Sequence, residues 1–287
     1  MAIVVGDIHG NVEKVQAFLA YRPDQPHIAL GDYCDSFYEP LERQLACLQL
    51  LLASDALLLW GNHDLHYLNK PPFICSGYRN EHASALRELI ESNKRRFMAA
   101  CVADDWLCTH GGVCDWLAKG ETDPHRLAER FNLEMEDFLA RPGDRRQGIF
   151  AIGTERGGTY SRGGGIFWFD TRRESANLAR YLRQITGHTE QEPLCRPHLV
   201  TLDTTNNDFC CWLYDTTTDE LVNVEMPHRR IRNLPPQEQE AFRYYLRGRS
   251  APHLKNEPSD EQDAYWPTDF KEWVLHGKPG MNVAGKE

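Results

Sequence analysis

The class of fold is set by Ala2-Ile3-Val4-Val5-Gly6-Asp7-Ile8-His9-Gly10, in which a short apolar run ends at a glycine followed by Asp and His. The run has the length and the β-branched content of a buried strand. The segment after it, 11–20, carries apolar residues at helical spacing, and Asn11 is a suitable N-cap. A strand, a polar loop marked by glycine and a helix in this order predict one unit of an α/β sheet.

The same pattern recurs through the first half of the chain. Three later apolar runs end in the same way: 27–30 at Gly31-Asp32, 56–60 at Gly61-Asn62 and 106–108 at Thr109-His110. Helices are predicted over 39–52 and 81–98. In open α/β sheets, ligands gather outside the carboxyl ends of the strands. We therefore expect these loops to lie close together in space, although they are tens of residues apart in sequence.

The second half is less regular. Its apolar runs predict further strands at 149–152, 166–169, 184–186, 198–202, 209–214 and 221–224. A helix is predicted over 175–183, and 215–219 is typical of a hairpin connection. After Pro227 the pattern decays. We therefore predict one main domain over 1–228 and a C-terminal extension over 229–287 that is loosely packed or partly disordered.

Composition narrows the class of protein. The chain has 287 residues, 41% hydrophobic and 26% charged, with a formal net charge of −10 at pH 7. This balance supports a buried core and argues against a coat on duplex nucleic acid. No apolar run approaches the roughly 20 residues of a membrane span. None of the nine cysteines forms a Cys-x-x-Cys pair, which favours free thiols in a reducing compartment. We expect a cytoplasmic protein whose partner is neither a membrane nor a nucleic acid.

Five loops marked by glycine carry the chemistry, at 6–10, 31–35, 61–64, 109–112 and 186–189. Each alone is an ordinary turn, but five in order, four of them directly after an apolar run, indicate a site. They offer carboxylates, an amide and imidazoles but no thiolate ligand: Asp7, Asp32, Asn62, His9, His110 and His188. Such donors suit Mn, Fe, Zn, Co or Ni. Two such ions about 3.5–4 Å apart polarise a phosphoryl group and activate a shared water.

Two further residues complete the predicted chemistry. His63 is adjacent to Asn62 and is placed to act as a general acid that protonates the leaving oxygen. Asp35 lies three residues beyond Asp32, where it is placed to orient the imidazole of His63 and to stabilise its protonated form.

The motifs GDIHG, GDYCD, GNHD, THGG and GHT resemble the signature of the calcineurin-like metallophosphoesterases, over roughly residues 1–190. They are most similar to the phosphoprotein-phosphatase branch, which includes serine/threonine phosphatases and diadenosine-tetraphosphate hydrolases. The resemblance implies an α/β fold, an αββα sandwich of two mixed β-sheets flanked by helices. It implies two divalent ions, with Mn as first choice. It distributes the ligands as Asp7, His9 and Asp32 on one ion, and Asp32, Asn62, His110 and His188 on the other. It also implies that His63 and Asp35 form the acid pair.

The chain departs from that branch at one position. The second loop usually continues as Asp-Arg-Gly, with the arginine gripping phosphate, whereas here it reads Asp35-Ser36-Phe37. Another cation must then hold the phosphate. Arg156 and Arg162, in the Gly/Arg-rich segment 153–165, are the candidates.

These features predict a metallophosphoesterase in which metal-activated hydroxide attacks a phosphate monoester. Its substrate would be a phosphoprotein, a small phosphate ester or a nucleotide. The missing arginine leaves a second hypothesis open, a nucleotide pyrophosphohydrolase of the diadenosine-tetraphosphate-hydrolase kind or a phosphodiesterase. A third, a metal-free scaffold, conflicts with the presence of all six ligand positions.

Overall fold

The computed structural model describes residues 1–36, 39–203 and 210–226. Residues Met1–Glu225 form one compact unit. The predicted extension, 229–287, lies outside the described residues. No helix within the described ranges has the length and apolar character needed to cross a bilayer. Every cysteine whose side chain the structure describes is a free thiol.

Eleven strands and six α-helices make up the described part of the chain. The strands are β1 (Ile3–Val5), β2 (His27–Ala29), β3 (Leu57–Leu59), β4 (Phe97–Met98), β5 (Ala100–Ala103), β6 (Trp106–Thr109), β7 (Arg183–Thr186), β8 (Leu194–Arg196), β9 (Leu199–Thr201), β10 (Cys210–Asp215) and β11 (Glu220–Glu225). The helices are α1 (Val12–Ala20), α2 (Leu41–Leu52), α3 (Asn62–Leu65), α4 (Asn80–Asn93), α5 (Asp115–Ala118) and α6 (Pro124–Ala140).

The strands form two mixed sheets. The first has the order β11-β10-β1-β2-β3-β4, and the second has the order β5-β6-β7-β9-β8. Strands β1 to β4 are parallel, as are β6, β7 and β9, while the remaining pairs are antiparallel. The antiparallel pairing of β10 with β11 confirms the hairpin predicted at 215–219.

The core lies between the two sheets. Val4 and Ile28 from the first sheet pack in one buried cluster with Cys108, Ile185 and Val200 from the second. Helix α1 lies against β10 on the outside of the first sheet, and α6 lies against β5 and β6 on the outside of the second. This layering confirms the predicted αββα sandwich.

Helix boundaries follow local signals. The Asn11 side chain accepts a hydrogen bond from the Lys14 amide at 2.9 Å, which confirms the predicted N-cap of α1. Helix α6 was not predicted, although its signals are regular. Asp123 caps it, Pro124 occupies its first turn, and Leu127, Phe131 and Phe138 are buried on one face.

The structure corrects four of the predicted elements. The helix predicted over 81–98 ends at Asn93, because 97–98 forms β4. The run 149–152 holds a 3-10 turn instead of a strand, and 166–169 is a turn. The helix predicted over 175–183 is a single 3-10 turn, and its last residue begins β7.

The five predicted loops follow the carboxyl ends of five parallel strands. Loops 6–10, 31–35 and 61–64 follow β1, β2 and β3 of the first sheet, and loops 109–112 and 186–189 follow β6 and β7 of the second. Since both sheets end at the same side of the sandwich, the five loops converge.

Candidate metal centre

Asp7, His9 and Asp32 form the first group of donors. Their donor atoms all lie within 4.8 Å of one another. The Nε2 atom of His9 is 3.9 Å from Asp7 Oδ2 and 3.8 Å from Asp32 Oδ2. Both carboxylates are almost completely buried. The spacing leaves room for one cation between the three side chains.

Asp32, His110 and His188 form the second group, again within 4.8 Å of one another. His110 Nε2 is 3.4 Å from Asp32 Oδ2 and 2.8 Å from Asn62 Oδ1. His188 Nδ1 is 3.0 Å from the same Asn62 oxygen. The oxygen Asp32 Oδ2 therefore lies at the junction of the two groups, where a carboxylate can bridge two ions.

Hydrogen bonds to the backbone orient two of the imidazoles. His9 Nδ1 donates to the Cys34 carbonyl at 2.7 Å, and His110 Nδ1 donates to the Leu30 carbonyl at 2.9 Å. In the neutral rings the Nε2 lone pairs then point at the carboxylates and at the Asn62 oxygen. Acceptor atoms facing one another are unfavourable without a cation between them.

The electrostatics of the two carboxylates also fit a cation. Burial, with the nearby charges of Asp203 and Asp32, raises the pKa of Asp7 well above its ordinary value. Burial acts in the same direction on Asp32, but the charges of His110 and His63 outweigh it and hold the pKa of Asp32 well below its ordinary value. Burial opposes the charged form of His110, yet Asp32 raises the pKa of His110 to about 9. Without a metal, protons on Asp7 and His110 compensate the negative charge of these buried carboxylates. A divalent ion would compensate the same charge directly.

The backbone of the loops is strained where the donors lie. Four residues of the predicted site have positive φ: His9 (46°), Asp32 (54°), Asp35 (63°) and His188 (61°). This region is uncommon for non-glycine residues, and such strain clusters at functional sites.

Two glycines permit close approach to the carboxylates. A Cβ on Gly61 would collide with the side chain and amide of Asp32, and one on Gly187 would collide with Asp7 Oδ1. Each glycine therefore lets a loop pass directly beside a predicted ligand.

The predicted acid pair is in contact. His63 Nδ1 is 2.8 Å from Asp35 Oδ2, and the Tyr67 hydroxyl donates to Asp35 Oδ1 at 2.5 Å. The His63 side chain is 16% exposed, so it reaches the surface beside the donors. Burial disfavours its charge, but the carboxylates of Asp32 and Asp35 outweigh that effect and raise the pKa of His63 to about 9. The imidazolium is thus the form that this environment favours.

Sequence reasoning gave no role to Asp64, which holds two of the loops together. Its carboxylate is fully buried and accepts hydrogen bonds from the amides of Asp32 (2.8 Å), Tyr33 (2.9 Å) and Gly61 (3.0 Å). An acidic residue three positions after the residue that precedes a helix is a recognisable capping signal. That signal was present in Gly61-Asn62-His63-Asp64.

His66 and Cys75 also lie at the site, although neither belongs to one of the five predicted loops. His66 is fully buried, with Nε2 2.6 Å from Asp35 Oδ2 as a close polar contact. Its other nitrogen, Nδ1, is 3.0 Å from Cys75 Sγ. Cys75 in turn contacts Asn62, with Asn62 Nδ2 at 3.7 Å from the sulfur.

The two candidate arginines differ in position. The Arg156 guanidinium lies 3.4 Å from the His188 carbonyl and 3.2 Å from Asp170 Oδ2. Among the described atoms its buried Nε finds no hydrogen-bond partner. Arg162 is exposed, and its role in phosphate binding stays a prediction.

The family model for calcineurin-like phosphoesterases matches residues 2–189. The chain therefore belongs to this family of metal-dependent hydrolases, and the two groups of donors fit the metal pair that the family uses. No curated protein matches the chain.

Solved structures that are similar to it include two with low sequence identity. One is a protein serine/threonine phosphatase from Saccharomyces cerevisiae with similarity to human phosphatase PP5, with 15% identity and a TM-score of 0.48 over 79% of this chain and 80% of that one. The other is a hypothetical protein from Pyrococcus horikoshii OT3, with 12% identity and a TM-score of 0.40 over 97% of this chain and 99% of that one.

Proposed function

We propose that this chain hydrolyses phosphate monoesters, in the manner of a serine/threonine phosphatase, at a centre that holds two divalent transition-metal ions. The observation that carries the proposal is the junction at Asp32, where two groups of buried or half-buried donors meet at one carboxylate oxygen. The donors are oxygen and nitrogen atoms, which suits Mn first and also Fe, Zn, Co or Ni.

The two groups divide the ligands between the ions. Asp7, His9 and Asp32 would hold one ion, and Asp32, Asn62, His110 and His188 would hold the other. When bound, the pair would supply positive charge against the phosphoryl oxygens and would lower the pKa of water, so that hydroxide is available to attack phosphorus at neutral pH. The contacts of His9 and His110 with backbone carbonyls keep their ligating nitrogens pointed inward.

His63 serves as the general acid. Its Nδ1 is held by Asp35, so Nε2 is the nitrogen that carries the transferable proton. Asp32 Oδ1 accepts a hydrogen bond from the His63 amide at 2.9 Å, which fixes the acid relative to the shared ligand. The proton passes from Nε2 to the leaving oxygen as the phosphorus–oxygen bond breaks.

Arg156 takes the place of the missing arginine of the second loop. It lies beside His188, and its side chain is partly exposed there, as a ligand of substrate phosphate must be. Asp170 holds the other arm of the guanidinium, so the group is oriented before the substrate arrives.

The presence of Ser36, where the resembled branch has an arginine, favours an alternative substrate class. Because the arginine tied to monoester recognition in the resembled branch is absent there, a nucleotide pyrophosphohydrolase or a phosphodiesterase is the second candidate. Rates on p-nitrophenyl phosphate, its bis-ester, a phosphopeptide and diadenosine tetraphosphate separate the candidates. Turnover of the dinucleotide alone, or of the bis-ester alone, would replace the monoesterase proposal.

Two substitutions test the roles of the residues. His63→Asn is expected to lower turnover by about two to four orders of magnitude while the bound metal remains. Asp32→Asn is expected to lower the metal content, measured by elemental analysis. His125→Asn, on the exposed surface of α6, is the matched control and should change neither. Full turnover in His63→Asn would remove it as the acid, and unchanged metal content in Asp32→Asn would remove it as the bridge.

A further inference from the structure

A third group of donors lies directly beside the proposed metal pair, and the proposed reaction uses only one of its members. It consists of His63, His66 and Cys75, whose donor atoms all lie within 4.8 Å of one another. The closest pair is His66 Nδ1 and Cys75 Sγ, 3.0 Å apart. Two imidazoles and a thiol at this spacing need only small movements to bind one ion.

The carboxylate of Asp35 contacts the imidazoles of both His63 and His66. Asp35 Oδ2 is 2.8 Å from His63 Nδ1 and 2.6 Å from His66 Nε2. Histidine ligands of zinc commonly direct their second nitrogen to a carboxylate, which orients the ring and strengthens the ligand. In His66 the nitrogen that faces Cys75 is the one that Asp35 does not contact. Its Nε2 lies close to Asp35 Oδ2 but makes no hydrogen bond among the described atoms, so a small rotation of the ring would complete the pairing.

Access and charge also fit a cation at this place. His66 is fully buried, whereas His63 and Cys75 are partly exposed, which gives an ion a route from solvent. Burial raises the pKa of the Cys75 thiol, and the charges of Asp32, Asp35 and Asp64 raise it further. The same negative charges attract a divalent ion, and the thiol proton leaves to solvent as the sulfur–metal bond forms.

We propose that His63, His66 and Cys75 form a third metal site that prefers zinc to manganese and whose occupation stops phosphoester hydrolysis. The preference follows from the thiolate, a soft ligand that the main pair lacks. Inhibition follows because an ion bound to His63 removes the proton donor from the reaction. This second part rests on the proposed function, whereas binding of the ion does not.

Binding is tested first, without reference to activity. The full chain, loaded with manganese, is titrated with cobalt(II), which absorbs in the near ultraviolet when a thiolate is a ligand. We expect one further equivalent to give this band in the unmodified protein and in Cys195→Ser, which removes an exposed cysteine. The band should be absent in Cys75→Ser. A missing band, or one that persists in Cys75→Ser, overturns the site.

A second measurement uses the unmodified chain, so its result does not depend on whether Cys75→Ser folds correctly. Zinc-edge X-ray absorption of protein carrying manganese and one equivalent of zinc should show one sulfur at about 2.3 Å from zinc. A zinc shell with nitrogen and oxygen only would overturn the site, whatever the behaviour of Cys75→Ser.

Inhibition is tested by comparing rates with and without zinc in each protein. In the unmodified chain, one bound zinc should lower turnover by about two to four orders of magnitude, as loss of the acid would. In Cys75→Ser, half-inhibition should need at least about 100-fold more zinc. Equal inhibition of both proteins, with manganese released, would place the effect at the main pair and overturn the inhibitory role.

The two proposals fail in different ways. If the cobalt band depends on Cys75 but turnover is undiminished when zinc is bound, the third metal site is supported and His63 is not the general acid. Hydrolysis with no band would keep the proposed function and remove the third site.

Discussion

Gly187→Ala is expected to weaken metal binding strongly while it leaves the protein folded. Gly187 has no positive φ, so alanine fits the backbone there. Its Cβ, however, would lie under 3.0 Å from Asp7 Oδ1 and 3.3 Å from Asp7 Cγ. The carboxylate must therefore move by roughly 1 Å, several times the 0.2 Å tolerance of a metal–ligand bond.

The movement has two measurable costs. The hydrogen bond from the His188 amide to Asp7 Oδ1, 2.9 Å long, is lost. Because the raised pKa of Asp7 favours its neutral form when no metal is bound, this bond contributes about 0.5–1.5 kcal/mol. Crowding in a packed interior adds a cost of about 1–3 kcal/mol. Because relaxation relieves part of both, we expect the metal-free protein to lose about 1–3 kcal/mol of unfolding free energy. Metal affinity should fall by at least about 10–100-fold.

The assay combines urea unfolding in the presence of a chelator with calorimetric titration of manganese. Gly143→Ala is the matched control, because nothing lies within 4 Å of a Cβ there and its φ is not positive. It should leave both quantities within about 0.5 kcal/mol of the parent. If Gly187→Ala binds manganese as tightly as Gly143→Ala does, Asp7 is not a metal ligand positioned by its contact with Gly187.

Three further outcomes are expected. Tyr67→Phe removes the 2.5 Å hydrogen bond to Asp35, so kcat should fall about tenfold with KM nearly unchanged in steady-state kinetics; an unchanged kcat would contradict this. Arg183→Ala removes contacts to Asp105 and Asp219 and a guanidinium 3.9 Å above the Trp106 ring, so urea unfolding should show a loss of about 1–2 kcal/mol with no change in activity. Manganese at 100 times its dissociation constant should raise the unfolding free energy by about 2.7 kcal/mol for each of the two ions, and a chelator should abolish the gain; equal stability with and without the metal would contradict this.

The part of the fold that surrounds the site was predictable because its signals are local. Apolar runs ending at Gly6, Gly31 and Gly61 mark parallel strands, and the residues after them must lie at one edge of a sheet. The convergence of all five loops then follows from topology. The strained backbone at Asp32 and Asp35 had no sequence signal of its own, since neither residue is glycine.

The two wrongly predicted strands have a common physical origin. Residues 149–152 and 166–169 are buried and apolar, as strands are, but their backbone bonds go to irregular partners. The Gly165 amide donates to the Ala151 carbonyl at 2.8 Å, and the Gly111 amide donates to the Ile166 carbonyl at 2.5 Å. A buried apolar turn therefore has the same sequence pattern as a buried strand, and hydrophobic periodicity does not distinguish them. Cys75 was missed for another reason, because its contacts with His66 and Asn62 depend on the path of a loop rather than on spacing.

The distribution of the donors along the chain bears on when the protein can acquire its ions during synthesis. Asp7 and His9 leave the ribosome early, yet His188 is made almost 180 residues later, and His110 is anchored on the Leu30 carbonyl across the two sheets. A nascent chain that lacks β7 offers only an open, incomplete set of ligands. With the ligands proposed above, the pair could be retained only after His188, which follows β7, has been translated. Premature termination products that lack it should not retain the pair.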